Sequence, residues 1–206
     1  MSFEPLVIVG AGGHAKVVIS TARAAGYTDI RLVDDDRALH GSRVLGLPVE
    51  GGVADTLSDQ TASVVLAIGR NATRLERARG AACRFVSLVH PFTFIDSTVR
   101  VGPGTVVFAG AVVQPDTELG AHVIINTGAS VDHDCRVGNG SHIAPGSRLA
   151  GTVVLEEGVF VGAGAALIPS IRVGAYATIG AGACVVHDVA AQATVVGVPA
   201  RPLPTS

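Results

Sequence analysis

The chain has 206 residues, a formal net charge of −2, 16% charged residues and 4% aromatic residues. This size allows one or two domains, and so few cationic and aromatic side chains argue against nucleic-acid binding. Glycine, proline or a charge interrupts every apolar run before it reaches the length of a bilayer, so no membrane span is predicted. The segment Met1–Gly13 lacks the basic stretch of a signal peptide, and the few cysteines without metal-ligand spacing indicate a reduced protein. We therefore expect a cytoplasmic location.

Residues 1–88 predict a small α/β domain with a βαβ order. Short apolar runs predict its strands, and turns rich in glycine or acidic residues follow several of them. The predicted elements are a strand over 6–9, a helix over 15–25, strands over 30–33 and 63–68, a helix over 72–82 and a last strand over 84–88.

The glycine turn after the first strand predicts a phosphate site, because backbone N–H groups and a helix N-terminus face an anion there. Gly10-x-Gly12-x-x-Ala15, with an acidic residue 24 positions after Gly10, is close to a dinucleotide fingerprint. Only one mononucleotide-binding half is present, which favours a nucleoside diphosphate joined to another group. The alternative is a turn that only packs strand against helix. The residues expected to contact this ligand are Gly10, Gly12, Gly13, His14, Asp34, Asp35, Gly69, Arg70 and Asn71.

From Val89 to Val185 every sixth residue is aliphatic, which makes 17 consecutive positions. A six-residue period fits neither a helix nor an extended strand alone, but it fits a short strand followed by a corner. Three repeats would form one triangular coil, and such coils stack about 4.8 Å apart. The sequence therefore predicts a parallel β-helix domain over residues 89–206 that ends in a C-terminal cap.

The densest polar cluster in the repeats consists of Asn126-Thr127, Asp132-His133-Asp134 and His142. Acyl transfer to an amine needs a base, and histidine has a suitable pKa near neutrality. His133 falls near a corner, where the carboxylates of Asp132 and Asp134 could fix its tautomer. The residues alone leave open whether His133 is a base or a solvated corner residue.

The GAGGHAK segment over 10–16, the His90-Pro91 junction and the hexapeptide repeat together resemble the sugar-nucleotide acetyltransferases. This family includes bacillosamine- and perosamine-type N-acetyltransferases and the sialic acid O-acetyltransferase group. The resemblance covers nearly the whole chain. It implies a Rossmann-like α/β domain that binds a nucleotide-linked amino sugar, followed by a left-handed parallel β-helix that binds acetyl-CoA. It also implies a homotrimer with active sites between chains.

The resemblance further implies roles for individual residues. His133 matches the general base, and Asp134 matches the acidic residue that orients it. His142 matches a second histidine near the thioester, and Gly151 matches a glycine whose N–H faces the acetyl carbonyl. Gly197–Arg201 resembles the closing motif that runs beside CoA, so Arg201 is expected to meet a CoA phosphate. The other residues expected to contact acetyl-CoA are Gly162, Gly180 and Pro199.

Other functions stay open at this level. The same His133–Asp134 pair could serve O-acetylation of a sialic acid or another sugar hydroxyl, and the chain could also be a non-catalytic nucleotide-sensing or assembly module. A metal-dependent hydratase on the same β-helix, as in the gamma-class carbonic anhydrases, needs two histidines five positions apart. His122, His133 and His142 do not have this spacing, so no metal site is predicted.

Overall fold

A short turn at Val86–Ser87 divides the chain into an α/β domain and a β-helix. The computed structural model describes residues 4–203, so the outermost residues of both predicted domains lie outside the described part. Ser87 Oγ donates to the Gly102 carbonyl, and the Leu88 N–H donates to the Thr105 carbonyl, so Leu88 already belongs to the first coil. Leu88 therefore pairs with the next coil and not with the sheet of the small domain.

The small domain has one sheet with strands in the order β3-β4-β2-β1-β5-β6, parallel except for β3. β1 lies in the middle and is buried along its whole length, as its unbroken apolar run requires. The strands are β1 Leu6–Val9, β2 Ile30–Val33, β3 Arg43–Val44, β4 Leu47–Glu50, β5 Ser63–Leu66 and β6 Arg84–Phe85; the helices are α1 Gly13–Ala24, α2 Val53–Ser58 and α3 Asn71–Ala78, with a 3₁₀ turn at Arg37–Leu39.

Several elements of this domain differ from the prediction. The β3–β4 hairpin and α2 were not predicted, and the expected strand over 84–88 is divided between β6 and the first β-helix strand. The hairpin turns at Leu45-Gly46 with φ of 48° and 85°. Leucine rarely adopts positive φ, so its presence in the turn is not an ordinary turn signal.

The second domain is a parallel β-helix with three sheets, in which strands of successive coils pair in parallel, except that the last strand pairs antiparallel with the one before it. Its strands are β7 Leu88–Val89, β8 Phe94–Ile95, β9 Arg100–Val101, β10 Val106–Val107, β11 Val112–Val113, β12 Glu118–Leu119, β13 Ile124–Ile125, β14 Ser130–Val131, β15 Arg136–Val137, β16 His142–Ile143, β17 Arg148–Leu149, β18 Val154–Leu155, β19 Phe160–Val161, β20 Ala166–Leu167, β21 Arg172–Val173, β22 Thr178–Ile179, β23 Cys184–Val185, β24 Thr194–Val196 and β25 Arg201–Pro202. We call the sheet of β7, β10, β13, β16, β19, β22, β24 and β25 the first face, that of β8, β11, β14, β17, β20 and β23 the second, and that of β9, β12, β15, β18 and β21 the third.

The aliphatic ladder forms the core of the β-helix. From Val107 to Val185 every sixth residue is at most 3% exposed, which confirms the predicted inward positions. The three ladder positions of the first coil are more exposed, because no coil precedes it: Val89 and Ile95 are partly buried, and Val101 is 36% exposed. The first face packs against the small domain through Leu88, Val106 and Ile124, which share a core with α1 and β1.

Arg74 joins the two domains through a buried guanidinium. It lies on α3, is 1% exposed, and donates to the carbonyls of Ile68 and Gly69 in its own domain. It also donates to the carbonyls of His122 and Gly140 in the β-helix, at 2.9 and 2.7 Å. Burial lowers the pKa of Arg74 to about 10, so it stays charged at neutral pH. A planar donor fork of this kind fixes the orientation of one domain on the other.

Arg74→Met should lower the free energy of unfolding by on the order of 3 kcal/mol, because buried carbonyls on both domains would lose their donor. Arg74→Lys should recover only part of this loss, because an ammonium cannot reach all the acceptors. Urea denaturation of both variants measures the effect, and an unchanged midpoint for Arg74→Met would contradict it.

Candidate active site

His133 lies on the edge between the second and third faces. We call this edge the His133 ridge; it consists of residues 132–134, 150–152, 168–170 and 186–188. Asp134 has a φ of 59°, and this left-handed turn brings two consecutive side chains together. His133 Nδ1 lies 2.8 Å from Asp134 Oδ2, and both side chains are more than half exposed. Because a carboxylate only accepts, Nδ1 carries the proton and Nε2 keeps a free lone pair.

The surroundings of His133 favour its protonated form. The hydrogen bond to Asp134 raises the pKa of His133 above 6.5, and the charges of Asp132 and Asp134 add to this effect. Asp132 also accepts a hydrogen bond from the His133 N–H at 2.8 Å, which fixes the backbone at the corner. The pair is thus an imidazole with a fixed tautomer at an accessible edge, an arrangement that can act as a base when the ring is neutral.

Gly151 lies one coil further along the ridge, directly against the His133 ring. A Cβ atom at Gly151 would lie 2.6 Å from Cε1 and 2.7 Å from Nε2 of His133. The Gly151 N–H donates to no acceptor within residues 4–203. Pro115 and Pro169 occupy the same column, which is possible because the β-helix needs no N–H donor at this corner. Gly151 therefore presents a free N–H beside the lone pair of Nε2.

Gly151→Ala should leave the fold intact, because Gly151 does not have positive φ. The new methyl group would overlap the His133 ring and turn it away. We expect turnover to fall on the order of tenfold or more without a change in the thermal unfolding midpoint. Turnover equal to that of the unchanged protein would show that His133 does not act from the observed position.

His142 lies elsewhere, on the first face, where it faces the small domain. Its Nε2 is 3.0 Å from Asn126 Nδ2, and its ring centroid is 6.2 Å from that of His14 at the start of α1. His142 Nδ1 and His14 Nε2 are buried and have no protein partner in the described part of the chain. Buried polar atoms without partners are rare, and here both lie at the interface between the domains.

Three histidines surround Arg74 at this interface. Burial, followed by the charge of Arg74, lowers the pKa values of His14, His122 and His142 to about 4. His122 packs against Phe85 with its ring edge-on, and its Nδ1 also lacks a partner among the residues described. All three rings are therefore neutral at neutral pH, and protonating them would place charge beside a buried cation.

Acid should weaken the domain interface. Between pH 6.5 and 4 the unfolded chain binds protons that the folded chain does not, so stability falls as the pH drops through this range. Each histidine contributes on the order of 1–3 kcal/mol of loss by pH 4. His122→Asn removes one titrating ring and tolerates the positive φ of this position. Its unfolding free energy should fall less steeply from pH 7 to 4 in urea titrations; an identical slope would contradict the assignment.

The predicted phosphate site lies at the carboxyl ends of β1, β2 and β5. A cavity of about 190 Å³ there is lined by Gly10, Asp34, Asp35 and Ile68 among others. α1 begins at Gly13 with no side-chain cap, so its first N–H groups are open to an anion. β2 and β5 lie on opposite sides of β1, which makes this crevice the switch point of the sheet.

The acidic residues after β2 have separate partners. Asp34 accepts hydrogen bonds from the Ala11 and Asp36 N–H groups, which closes the glycine turn. Asp35 forms a 2.7 Å ion pair with Arg77 at the cavity wall. Gly10 has a φ of 105°, and a Cβ there would lie 3.0 Å from the Ala67 carbonyl oxygen, so only glycine fits this turn.

In the loop after β5, one residue contacts the β-helix and two others are exposed at a groove. Asn71 Nδ2 donates to the Gly158 and Val159 carbonyls of the β-helix, so its amide joins the domains. Gly69 and Arg70 are exposed at a groove of about 400 Å³ between α3 and the first face. Arg70 forms no ion pair within the described residues. Contact of these residues with substrate stays a prediction.

Comparisons with known proteins decide the family. Residues 5–80 match the PglD N-terminal domain family, and residues 116–151 match the bacterial transferase hexapeptide family of six repeats. A histidine-to-asparagine variant of perosamine N-acetyltransferase from Caulobacter crescentus, in complex with CoA and GDP-perosamine, is 40% identical over 99% of both chains with a TM-score of 0.90. This chain belongs to the sugar N-acetyltransferases of the hexapeptide-repeat class.

Two further structures support the same family. The acetyltransferase domain of PglB from Neisseria gonorrhoeae is 38% identical, with a TM-score of 0.91 over 98% of this chain and 100% of that one. WeeI from Acinetobacter baumannii is 27% identical, with a TM-score of 0.85 over 97% and 99%. A search of curated protein sequences finds no match. The resemblance drawn from the sequence motifs, and the fold that it implied, are thereby confirmed.

The other residues expected to meet acetyl-CoA in this sugar N-acetyltransferase lie away from His133. Gly162 and Gly180 form corners between the first and second faces, where an added Cβ would contact the next coil at 2.6 Å. Pro199 and Arg201 belong to the C-terminal segment, and Arg201 is on β25, which pairs antiparallel with β24. Close packing explains both glycines, and their contact with acetyl-CoA stays a prediction.

Within residues 4–203, no group of three His, Cys, Asp or Glu side chains is placed to hold a metal ion.

None of the helices in the described part of the chain is long and apolar enough to cross a bilayer.

Sequence reasoning missed Arg74 and His122 at the domain interface. No local motif identifies Arg74, because its acceptors in the β-helix lie 48 and 66 residues further along the chain. His122 precedes an inward position at a corner, and only the packing of Phe85 against it reveals its burial.

Proposed function

We propose that this protein transfers the acetyl group of acetyl-CoA to the amino group of a nucleotide-linked 4-amino-deoxy sugar, with His133 as general base. One observation carries the proposal: a His133–Asp134 pair with a free Nε2 lies against Gly151, whose N–H is unbonded within the described chain. The acceptor class follows from the perosamine N-acetyltransferase bound to GDP-perosamine. The cytoplasm supplies both substrates.

The small domain suits the nucleotide diphosphate of the acceptor. Uncapped N–H groups at Gly12, Gly13 and His14 begin α1 beside a cavity bordered by Asp34 and Asp35. His14 and His142 approach each other at the domain interface, where His14 Nε2 and His142 Nδ1 lack partners in residues 4–203. Neutral rings of this kind can hydrogen-bond sugar hydroxyls or phosphate oxygens without the cost of burying another charge.

The β-helix suits the thioester. A cavity of about 520 Å³ on the second face begins beside the His133 ridge and is lined by Ser130, Asp132, Arg148, Ile168 and Pro169 among others. Ala150, Ala166, Ile168 and Pro169 give this cavity an apolar side that suits a pantetheine arm. The sites for acetyl donor and base are therefore adjacent in this chain.

All the protein groups that act in the proposed acetyl transfer lie on the His133 ridge. As the sugar nitrogen attacks the thioester carbon, His133 Nε2 accepts the proton that the nitrogen loses. The Gly151 N–H donates to the carbonyl oxygen while that oxygen carries negative charge. His133 then returns the proton to the departing sulfur, and Asp134 stabilises the imidazolium between these two steps.

The site is shared between chains. The small domain covers the first face, whereas His133 lies on the opposite edge of the prism, between the second and third faces. One chain therefore cannot bring its own nucleotide cavity to its own His133. A neighbouring chain must supply one of the two halves, and a closed homotrimer supplies all three sites equally.

Replacing Asp134 tests the base assignment. The base acts when neutral, so kcat/KM should rise with pH through the pKa of His133. Asp134→Asn removes the largest cause of the raised pKa of His133, so the rise of kcat/KM should occur at lower pH. The maximum rate should fall about 10- to 100-fold because orientation and imidazolium stabilisation are lost. A pH profile that does not move would contradict the pairing.

The acceptor is tested with a panel of GDP- and UDP-linked 4-amino sugars with acetyl-CoA, by following thiol release. Double-reciprocal plots of the initial rate at varied concentrations of both substrates should give intersecting lines, because direct transfer needs both substrates bound at once. His133→Ala should lower kcat by on the order of 10² or more, with Arg43→Ala on β3 as a matched surface control. Parallel lines, or near-normal turnover by His133→Ala, would overturn the mechanism.

A further inference from the structure

Gly151 lies between two peptide planes, and a different side chain holds each plane. On the inner side, the thiol of the buried Cys135 donates to the Ala150 carbonyl at 3.2 Å. Burial raises the pKa of Cys135 to about 11, so the thiol keeps its proton. Because the C=O and N–H groups of a trans peptide point in opposite directions, this inward carbonyl turns the Gly151 N–H outward, beside His133.

On the outer side, Thr152 holds the next peptide plane at both ends. Its hydroxyl donates to the Gly151 carbonyl at 2.7 Å, and its N–H donates to the His133 carbonyl at 2.9 Å. The Gly151 carbonyl also accepts the Ser170 N–H at 3.0 Å, and the hydroxyls of Ser170 and Thr152 lie 2.8 Å apart. Since the Thr152 proton is directed to Gly151, Ser170 is the donor of this last bond. Thr152 therefore links the proposed base to the residue that carries the free N–H.

Thr152 has a backbone conformation that its side chain disfavours. Its φ is 60°, and no other β-branched residue within residues 4–203 has a positive φ. The neighbouring positions of the same column carry Asp134 and Ser170, which are not β-branched. Thr152 is exposed, so packing against the core does not explain the strain. Strained residues of this kind persist where their surroundings fix them, and they cluster at functional sites.

We propose that Thr152 is a positioning residue that aims the Gly151 N–H at the carbonyl oxygen of the acetyl group. Glycine restricts its own φ and ψ only weakly, so the two planes beside Gly151 need separate anchors. The Cys135 thiol is a weak donor, so the inner anchor alone leaves the N–H free to turn. The hydroxyl of Thr152 supplies the second anchor. This inference rests on the proposed function, because it takes Gly151 as the donor to the acetyl oxygen.

Thr152→Val removes the hydroxyl and keeps the β-branched shape. Its kcat should fall about 5- to 20-fold, which is less than a lost oxyanion donor costs, because the Gly151 N–H remains but is misaligned. The KM values for both substrates should change less than kcat, because the contact strengthens in the transition state. Thr152→Ser keeps the hydroxyl and should keep kcat. The matched control is Thr98→Val, three coils earlier in the same column, which removes a hydroxyl that accepts the Asp116 N–H and should leave kcat unchanged.

Thr152→Gly separates the hydroxyl from the strain, because glycine adopts positive φ without steric cost. Its kcat should fall as in Thr152→Val, while its thermal unfolding midpoint should stay equal or rise. The pH at which kcat/KM rises should not change in either variant, because the bond between His133 and Asp134 stays intact. A normal kcat in both variants, or a loss of the same size in Thr152→Ser, would overturn the inference.

Infrared spectra of bound acetyl-CoA, isotope-labelled at the acetyl carbonyl and measured without an acceptor, separate this inference from the proposed function. A hydrogen bond from Gly151 weakens the C=O bond. The carbonyl stretch should therefore lie at higher frequency in Thr152→Val than in the unchanged protein or in Thr152→Ser. If no sugar is acetylated but the frequency moves in this way, the proposed acceptor fails and the role of Thr152 stands. If the acceptor panel succeeds and the frequency does not move, the role of Thr152 fails alone.

Discussion

The inward aliphatic ladder of the β-helix is the constraint on which the rest of the structure depends. Because one side chain in six must enter the core, each coil has the same length, and each corner falls above the corner before it. The left-handed residues Asp116, Asp134, Thr152 and Ser170, with φ from 58° to 65°, recur once per coil along one edge. This regular repeat places the ring of His133 over Gly151. A slip of one residue would move the imidazole off the ridge and remove the free N–H beside it.

The domain interface depends on a second constraint, the buried guanidinium of Arg74. Its acceptors are backbone carbonyls and the Asn71 side-chain oxygen, so no carboxylate within residues 4–203 pairs with its charge, and hydrogen-bond geometry stabilises it instead. Small rotations of the domain would break several of these bonds at once. The nucleotide cavity is thereby held on one side of the prism and the base on the other. The proposal that two chains share one active site follows from this division.

The sequence predicts the β-helix and its ridge well because their pattern is strictly local. Periodicity places the inward residues, and His133, Asp134 and Gly151 follow from their distance to the nearest ladder position. The interface is less predictable, because His14 and His142 belong to different domains and meet only through packing. The β3–β4 hairpin was missed for a different reason: Leu45 adopts positive φ in a turn with no Asn, Asp or Pro. Those features depend on tertiary contacts that no short window of sequence contains.

The shared active site is tested most directly by mixing two inactive chains. His133→Ala removes the proposed base but keeps the nucleotide cavity. Gly12→Asp places a carboxylate at the proposed diphosphate site and keeps the ridge. A Cβ at Gly12 meets no atom within 4 Å, so the Gly12→Asp chain should fold. Each variant alone should be inactive. Co-expressed in equal amounts, they should form trimers in which about a quarter of the sites combine two intact halves, with that share of the normal acetylation rate. A mixture as inactive as its parents would show that each site lies within a single chain.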